Sequence, residues 1–218
     1  MRGRDAEWAV VDGLLRRVRG GRSGVLLVEG EAGMGKSLLL SEAARAASRQ
    51  GFSLIEAEAD ELERLIPLCP LLVALSEAPG KESLADSQPD NSGSQMTAIA
   101  NVREQIRVLA ASGRVLVTVD DVQFADPTTL LALRLLPRQL SGSQVGWVLA
   151  RSPERGSDVE SLFSLLAKEG ATEIVLGGLS EDAVAGLVAD LRFRFPGNPA
   201  RHGEVGHLSL SAWRPQSD

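Results

Sequence analysis

The chain predicts a mainly parallel β-sheet covered by helices on both faces, and three observations carry that expectation. Short unbroken apolar runs, such as Val25–Val28 and Val115–Val119, alternate with segments of helical periodicity. These runs lack the in–out alternation of a sheet with one wet face, so both faces should be buried. A glycine-rich turn at 30–35 joins the first run directly to a helix. The 218 residues, 44% hydrophobic and 24% charged, suffice for one domain with a sizeable core. That domain is expected over 1–191, with a mobile loop at 79–97 and an irregular tail over 192–218.

From Asp5 to Arg19 the apolar residues Trp8, Val11, Leu14, Leu15 and Val18 recur at helical spacing, and Gly20, Gly21 and Gly24 end the run. The first strand is Val25–Val28, followed by the turn and an Ala- and Leu-rich helix over Leu38–Arg49. Phe52–Ala57 reads as a second strand, and Glu61–Ala78 as a helix interrupted by Pro67 and Pro70. The segment 79–97 is rich in Ser, Asp, Pro, Gly and Gln and poor in apolar residues, which is loop composition. An amphipathic helix over Ala98–Ala111 leads into a third strand, Val115–Val119, ending in Asp120 and Asp121. Asp126 as N-cap and Pro127 in the first turn start a helix that runs to about Leu140. Gln144–Ala150 is a fourth strand closed by Arg151. A helix around 158–169, a fifth strand over Glu173–Leu176 and a Ser180-capped helix over 181–191 complete the series.

Composition narrows the functional classes. The single cysteine, Cys69, excludes a disulfide framework and fits a reducing compartment. No run approaches the roughly 18 apolar residues of a membrane helix, and the first residues have no secretory apolar core. A soluble, cytoplasmic protein is expected. The net charge of −6 gives no general reason to bind nucleic acid, and the absence of Tyr argues against aromatic base-stacking surfaces. Arg16, Arg17, Arg19 and Arg22 form a local basic cluster that reads as a solvated helix end. Lysine occurs only at 36, 81 and 168, so the placement of Lys36 is informative.

Gly30-Glu31-Ala32-Gly33-Met34-Gly35-Lys36-Ser37 fits the Walker A pattern G-x-x-x-x-G-K-[ST]. A chain that wraps a phosphate must turn several N–H groups inward at once, which glycine permits. The following helix offers its free first-turn N–H groups and dipole to the anion. Lys36 supplies a point charge to the β- and γ-phosphates, and the Ser37 hydroxyl is placed to ligate Mg²⁺. The third strand, ending in Asp120 and Asp121, reads as Walker B: Asp120 for Mg²⁺ or its water, Asp121 to orient the attacking water. Asp is shorter than Glu, so slow hydrolysis is expected. Two readings of Arg151 stand level, a γ-phosphate sensor or a surface arginine in the turn before Pro153. Cys69 reads as packing, and His202 and His207 have no partners for a zinc site. No guanine-specific N-K-x-D occurs, which favours ATP.

Gly3-Arg4-Asp5-Ala6-Glu7, the loop GEAGMGKS at 30–37, VLVTVDDVQFADP at 115–127 and LARSP at 149–153 together resemble a family. It is the STAND-class, AAA-type P-loop ATPase module of large LuxR-type, maltose-regulator-like bacterial transcription activators. The resemblance implies a P-loop NTPase three-layer sandwich in which the fourth strand lies between the phosphate-loop strand and the Walker B strand. It also implies that Arg151 sits close to the γ-phosphate and that the opening motif packs near the nucleotide. In such regulators ATP binding sets an on/off conformation, and other regions carry helical repeats and a DNA-binding helix-turn-helix. This chain shows neither. Arg2 stands where an apolar residue is usual, and only Gly197-Asn198-Pro199 matches the continuation. The tail is expected to be a truncated end, a frameshifted end or a short natural terminus.

The expected function is therefore a Mg-ATP-binding switch module with weak hydrolysis. ATP is its ligand, with self-association or a regulatory protein as partner, and neither a DNA-binding element nor a membrane is involved. The alternatives are a free-standing P-loop ATPase or small-molecule kinase, for which the loop at 79–97 is poor in arginine, and a non-functional fragment.

Overall fold

The structure is a computed structural model that describes residues 3–78, 94–153, 157–180 and 183. Its helices are α1 (Asp5–Arg19), α2 (Lys36–Arg49), α3 (Cys69–Glu77), α4 (Gln95–Ser112), α5 (Pro127–Gln139) and α6 (Ser157–Lys168). Its strands are β1 (Gly24–Gly30), β2 (Phe52–Glu58), β3 (Arg114–Asp120), β4 (Val145–Arg151) and β5 (Thr172–Leu176). The strands form one sheet in the order β2–β3–β4–β1–β5, and every pairing is parallel. This is the parallel five-stranded sheet expected from the alternation. The fourth strand lies between the first and third, as the family resemblance implies.

Strand alternation divides the core into two layers. On one face α1 and α2 cover Leu26 and Val28 of β1, Leu116 of β3, Val148 and Ala150 of β4, and Ile174 and Leu176 of β5. The small residues Ala43, Ala46 and Ala47 let α2 approach the sheet closely. On the other face α3, α4, α5 and α6 cover Leu27, Ile55, Val115, Val117, Val119, Val145, Trp147 and Leu149. The central strands β3 and β4 are apolar on both faces, and that is the continuous run seen in the sequence.

Local chemistry sets the ends of these elements. Asp126 caps α5 as expected: its Oδ1 accepts the N–H groups of Thr128 at 2.8 Å and Thr129 at 3.0 Å. Its Oδ2 accepts the Thr129 hydroxyl and, at 3.2 Å, the N–H of Leu68. Leu68 is wholly buried in a left-handed conformation with φ of 61°, so this acid also anchors a strained turn from another part of the chain.

Two expectations require correction. The segment 61–78 is not one interrupted helix. It is a short 3₁₀ turn, Leu62–Leu65, followed by α3 from Cys69. Pro67 stands between the two, and Pro70 falls in the first turn of α3, where its missing N–H leaves no bond unmade. α4 begins at Gln95 and not Ala98, with Ser94 as N-cap residue, so residues 95–97 belong to the helix.

Gly3–Gly178 form one compact unit. A second begins at Leu179, where the Ser180 hydroxyl accepts the Ala183 N–H at 3.3 Å, as expected of a helix cap. The rest of the expected 181–191 helix, the tail with His202 and His207, and 79–93 lie outside the described residues. Among the described residues no helix is long and apolar enough to cross a membrane.

Candidate nucleotide site

The loop from Gly30 to Gly35 follows β1 at the C-terminal edge of the sheet, where ligands bind in open α/β folds. Gly33 and Gly35 adopt φ values of 80° and 91°, a left-handed backbone that side chains disfavour. Gly30 is small for a packing reason: a Cβ there would lie 3.0 Å from both the Cβ and the carbonyl oxygen of Leu176 on β5. Glu31, Ala32 and Gly33 are exposed, and the Glu31 carbonyl accepts the Met34 N–H at 3.2 Å. Helix α2 starts at Lys36 with Gly35 as cap residue and no side-chain cap. Its first-turn N–H groups therefore have no acceptor within the helix. Ser37 is exposed in that first turn.

Lys36 is buried, and its ammonium donates to the carbonyls of Gly30 at 2.9 Å and Glu31 at 3.3 Å and to the Ser152 hydroxyl at 2.9 Å. It makes no ion pair with any described residue. A buried cation facing only neutral oxygens is costly unless an anion joins it. The fit of a phosphate group to this site rests on that observation.

The acid-ended strand lies two places away in the sheet. Asp120 closes β3, buried, and its Oδ1 accepts the Asp121 N–H at 2.9 Å. By strand alternation Asp120 lies on the same face as Leu116, the face covered by α2, whose first turn carries Ser37. Asp121 adopts a left-handed backbone with φ of 49°. Among the described residues no three His, Cys, Asp or Glu side chains cluster as a metal cage. A hydroxyl and one carboxylate, Ser37 and Asp120, fit Mg²⁺ only in its usual mode, with water and phosphate oxygens completing the shell.

Arg151 closes β4 in register with Glu29, and both side chains lie on the face covered by α6. Its Nε and Nη2 donate to Glu29 Oε2 at 3.0 and 2.6 Å, and the guanidinium lies 4.5 Å from the Phe163 ring centroid. The next residue points the other way, and so it is Ser152 that meets Lys36. The structure thus joins the two sequence motifs through residues that carry no assigned role in the sequence. The Ser152 N–H donates to Gln123 Oε1 at 3.0 Å, and Gln123 Nε2 donates to Asp121 Oδ1 at 2.8 Å.

Arg4 of the opening motif is buried and donates to Glu7 at 2.8 Å, to the Met34 carbonyl at 3.1 Å and to the Gly177 carbonyl at 2.5 Å. The motif therefore packs against the phosphate loop, as the resemblance implies. Burial pushes the Glu7 carboxyl upward, but the Arg4 hydrogen bond, a backbone hydrogen bond and the Arg4 charge together hold it below the usual carboxylate range. Cys69 is buried and donates to Glu63 at 3.3 Å; burial first, then Glu63, push its thiol up, which favours the protonated form.

A strand–glycine loop–helix unit, with an acid-ended strand one strand removed, defines the P-loop class of nucleotide-binding α/β folds. The chain belongs to the AAA ATPase domain family, whose model matches residues 1–148. Among solved structures it is similar to Cdc6p from Pyrobaculum aerophilum, with a TM-score of 0.63 and 16% identity over 86% of this chain and 48% of that one. It is also similar to ORC1 of Aeropyrum pernix, solved in complex with DNA, with a TM-score of 0.62 and 16% identity over 89% and 50%. AMPPCP-bound DnaA from Aquifex aeolicus follows at 0.57 and 18%, over 90% and 53%. These likenesses establish the fold, and this chain spans about half the length of each protein. No curated protein matches. Family membership implies nucleotide binding, typically of Mg-ATP.

Proposed function

We propose that the chain is a Mg-ATP-binding switch module of the STAND type, with slow hydrolysis, serving a LuxR-type transcriptional regulator. The observation that carries the nucleotide reading is the buried Lys36 ammonium, surrounded by neutral oxygens at the mouth of a left-handed glycine loop. ATP lies along Gly30, Glu31, Ala32, Gly33, Met34, Gly35, Lys36 and Ser37. Ser37 and Asp120 hold Mg²⁺, and Asp121 orients the attacking water. A carboxylate one methylene shorter than Glu makes that orientation poor and turnover slow.

The switch reading draws on Arg151. Its guanidinium is neutralised by Glu29, so contact with a γ-phosphate requires it to leave one anion for another. Such an exchange makes two discrete arrangements, the physical basis of an on/off state. The regulatory role rests on the resemblance of the four motifs. Leu62 and Leu65, 88% and 91% exposed on the 3₁₀ turn, offer an apolar surface to a second copy or a regulatory partner. Titration calorimetry tests the nucleotide site: the full chain binds Mg-ATP, and Lys36→Ala weakens it at least about a hundredfold, about 2.7 kcal/mol. Equal affinities would refute the site.

A further inference from the structure

We propose that Gln123 is a positioning residue that fixes the Asp121 carboxylate and ties it to the lysine of the phosphate loop. The inference rests on the reading of Asp121 given above and deepens it. Gln123 lies in the 3₁₀ turn Val122–Phe124 that follows β3, and both ends of its carboxamide are engaged. The orientation of the amide is dictated by its partners. The Ser152 N–H can only donate, so it takes the oxygen; that leaves the NH₂ for the Asp121 carboxylate, at 2.8 Å. Ser152 in turn receives Lys36 through its hydroxyl at 2.9 Å. A continuous path, Lys36–Ser152–Gln123–Asp121, thus runs from the cation that meets phosphate to the acid that meets water. It crosses from the phosphate loop to the end of β4 and then to the end of β3.

The backbone explains why such a restraint is needed. Asp121 is one of only two non-glycine residues with positive φ among the described residues, and the turn there is closed by the Phe124 N–H on the Asp121 carbonyl at 2.9 Å. The turn fixes the Asp121 main chain but not the direction of its carboxylate, and the amide of Gln123 supplies that second fixed point. A carboxylate so held points in one direction, which is the property required of a group that aligns a water.

The test uses Gln123→Glu. This variant keeps the volume and an acceptor for the Ser152 N–H, but turns the NH₂ into an oxygen facing the Asp121 carboxylate. Single-turnover hydrolysis and Mg-ATP calorimetry on the full chain are expected to show at least a tenfold fall in rate with affinity within threefold of wild type. Gln123→Met, which removes both hydrogen bonds without adding charge, is expected to do the same with a folded thermal transition. In an Asp121→Asn background either substitution should have no further effect on rate, because Gln123 acts through Asp121. An unchanged rate overturns the proposal. So does a loss of affinity as large as the loss of rate, or a full additional loss in the Asp121→Asn background, since both mark a merely structural residue. Failure of the wild-type chain to bind Mg-ATP sinks the nucleotide reading and this proposal together. Binding without measurable turnover sinks the hydrolytic role of Asp121 and this proposal with it, and leaves the nucleotide site standing; an unchanged rate in a chain that does turn over sinks this proposal alone.

Discussion

The ends of β1 and β4 each present a cation to the same edge of the sheet, and the two are treated in opposite ways. Lys36, just beyond β1, is buried against two main-chain carbonyls and a hydroxyl, with its charge uncompensated among the described residues. Arg151, at the end of β4, is paired with a carboxylate and stacked on an aromatic ring. Alternation along a strand accounts for the separation: Glu29 and Arg151 share one face, while Ser152 turns toward α2 on the other. The contrast teaches that a positive side chain near a phosphate site is not by itself a phosphate ligand. A cation held only by neutral oxygens gains when an anion arrives, whereas one already paired must first give up its partner.

Replacing each cation by methionine breaks the comparison most severely. Lys36→Met should lower Mg-ATP affinity at least about a hundredfold, whereas Arg151→Met should cost less than about tenfold, confined to ATP over ADP. Equal losses, read by calorimetry with both nucleotides, would erase the distinction.

Arg4 offers the next largest effect, because it is the other buried cation among the described residues, and it has both a carboxylate and carbonyl partners. Arg4→Ala leaves the Met34 and Gly177 carbonyls without their donor and should destabilise the fold by about 2–4 kcal/mol in urea unfolding. A change below about 0.5 kcal/mol would show that the opening motif does not brace the phosphate loop.

Glu29→Gln sharpens the contrast from the other side. It removes the carboxylate from Arg151 and should raise the preference for ATP over ADP by about three- to fivefold, roughly 1 kcal/mol. An unaltered preference would place Arg151 outside γ-phosphate recognition.

The smallest effect concerns Glu7, whose folded pKa lies below the ordinary 4.5. Its contribution to stability is fully present above that ordinary value and is lost as pH falls through the lower folded one. Thermal melts of wild type and Glu7→Gln should therefore differ at pH 7, with the gap within about 3 °C, and converge as the pH falls through the lowered folded value. A gap that persists in acid would assign Glu7 a role other than its charge.

What was legible in the sequence follows the same division between local and long-range chemistry. The glycine loop, the acid-ended strand and the Asp126 cap are written in consecutive residues, and each is where the pattern places it. The start of α4 and the break before α3 are where local composition misleads. Gln95–Thr97 is polar enough to read as loop, and Pro70 reads as a breaker although a first-turn proline is harmless. Gln123 and Ser152 enter the sequence reading only as members of the motifs at 115–127 and 149–153, with no role of their own. Their value comes from meeting across the sheet, a contact that membership of a motif does not disclose. The sheet order that brings them together came from family resemblance, since periodicity does not specify which strand lies between which. Arg151 admits two readings from sequence because its register with Glu29 is not disclosed there.

The most direct test of the account is a crystal structure of the chain with Mg²⁺ and a non-hydrolysable ATP analogue. The account predicts the Lys36 ammonium within about 3.2 Å of a phosphate oxygen, having left the Gly30 and Glu31 carbonyls. An analogue bound elsewhere, with Lys36 still on those two carbonyls, would contradict it.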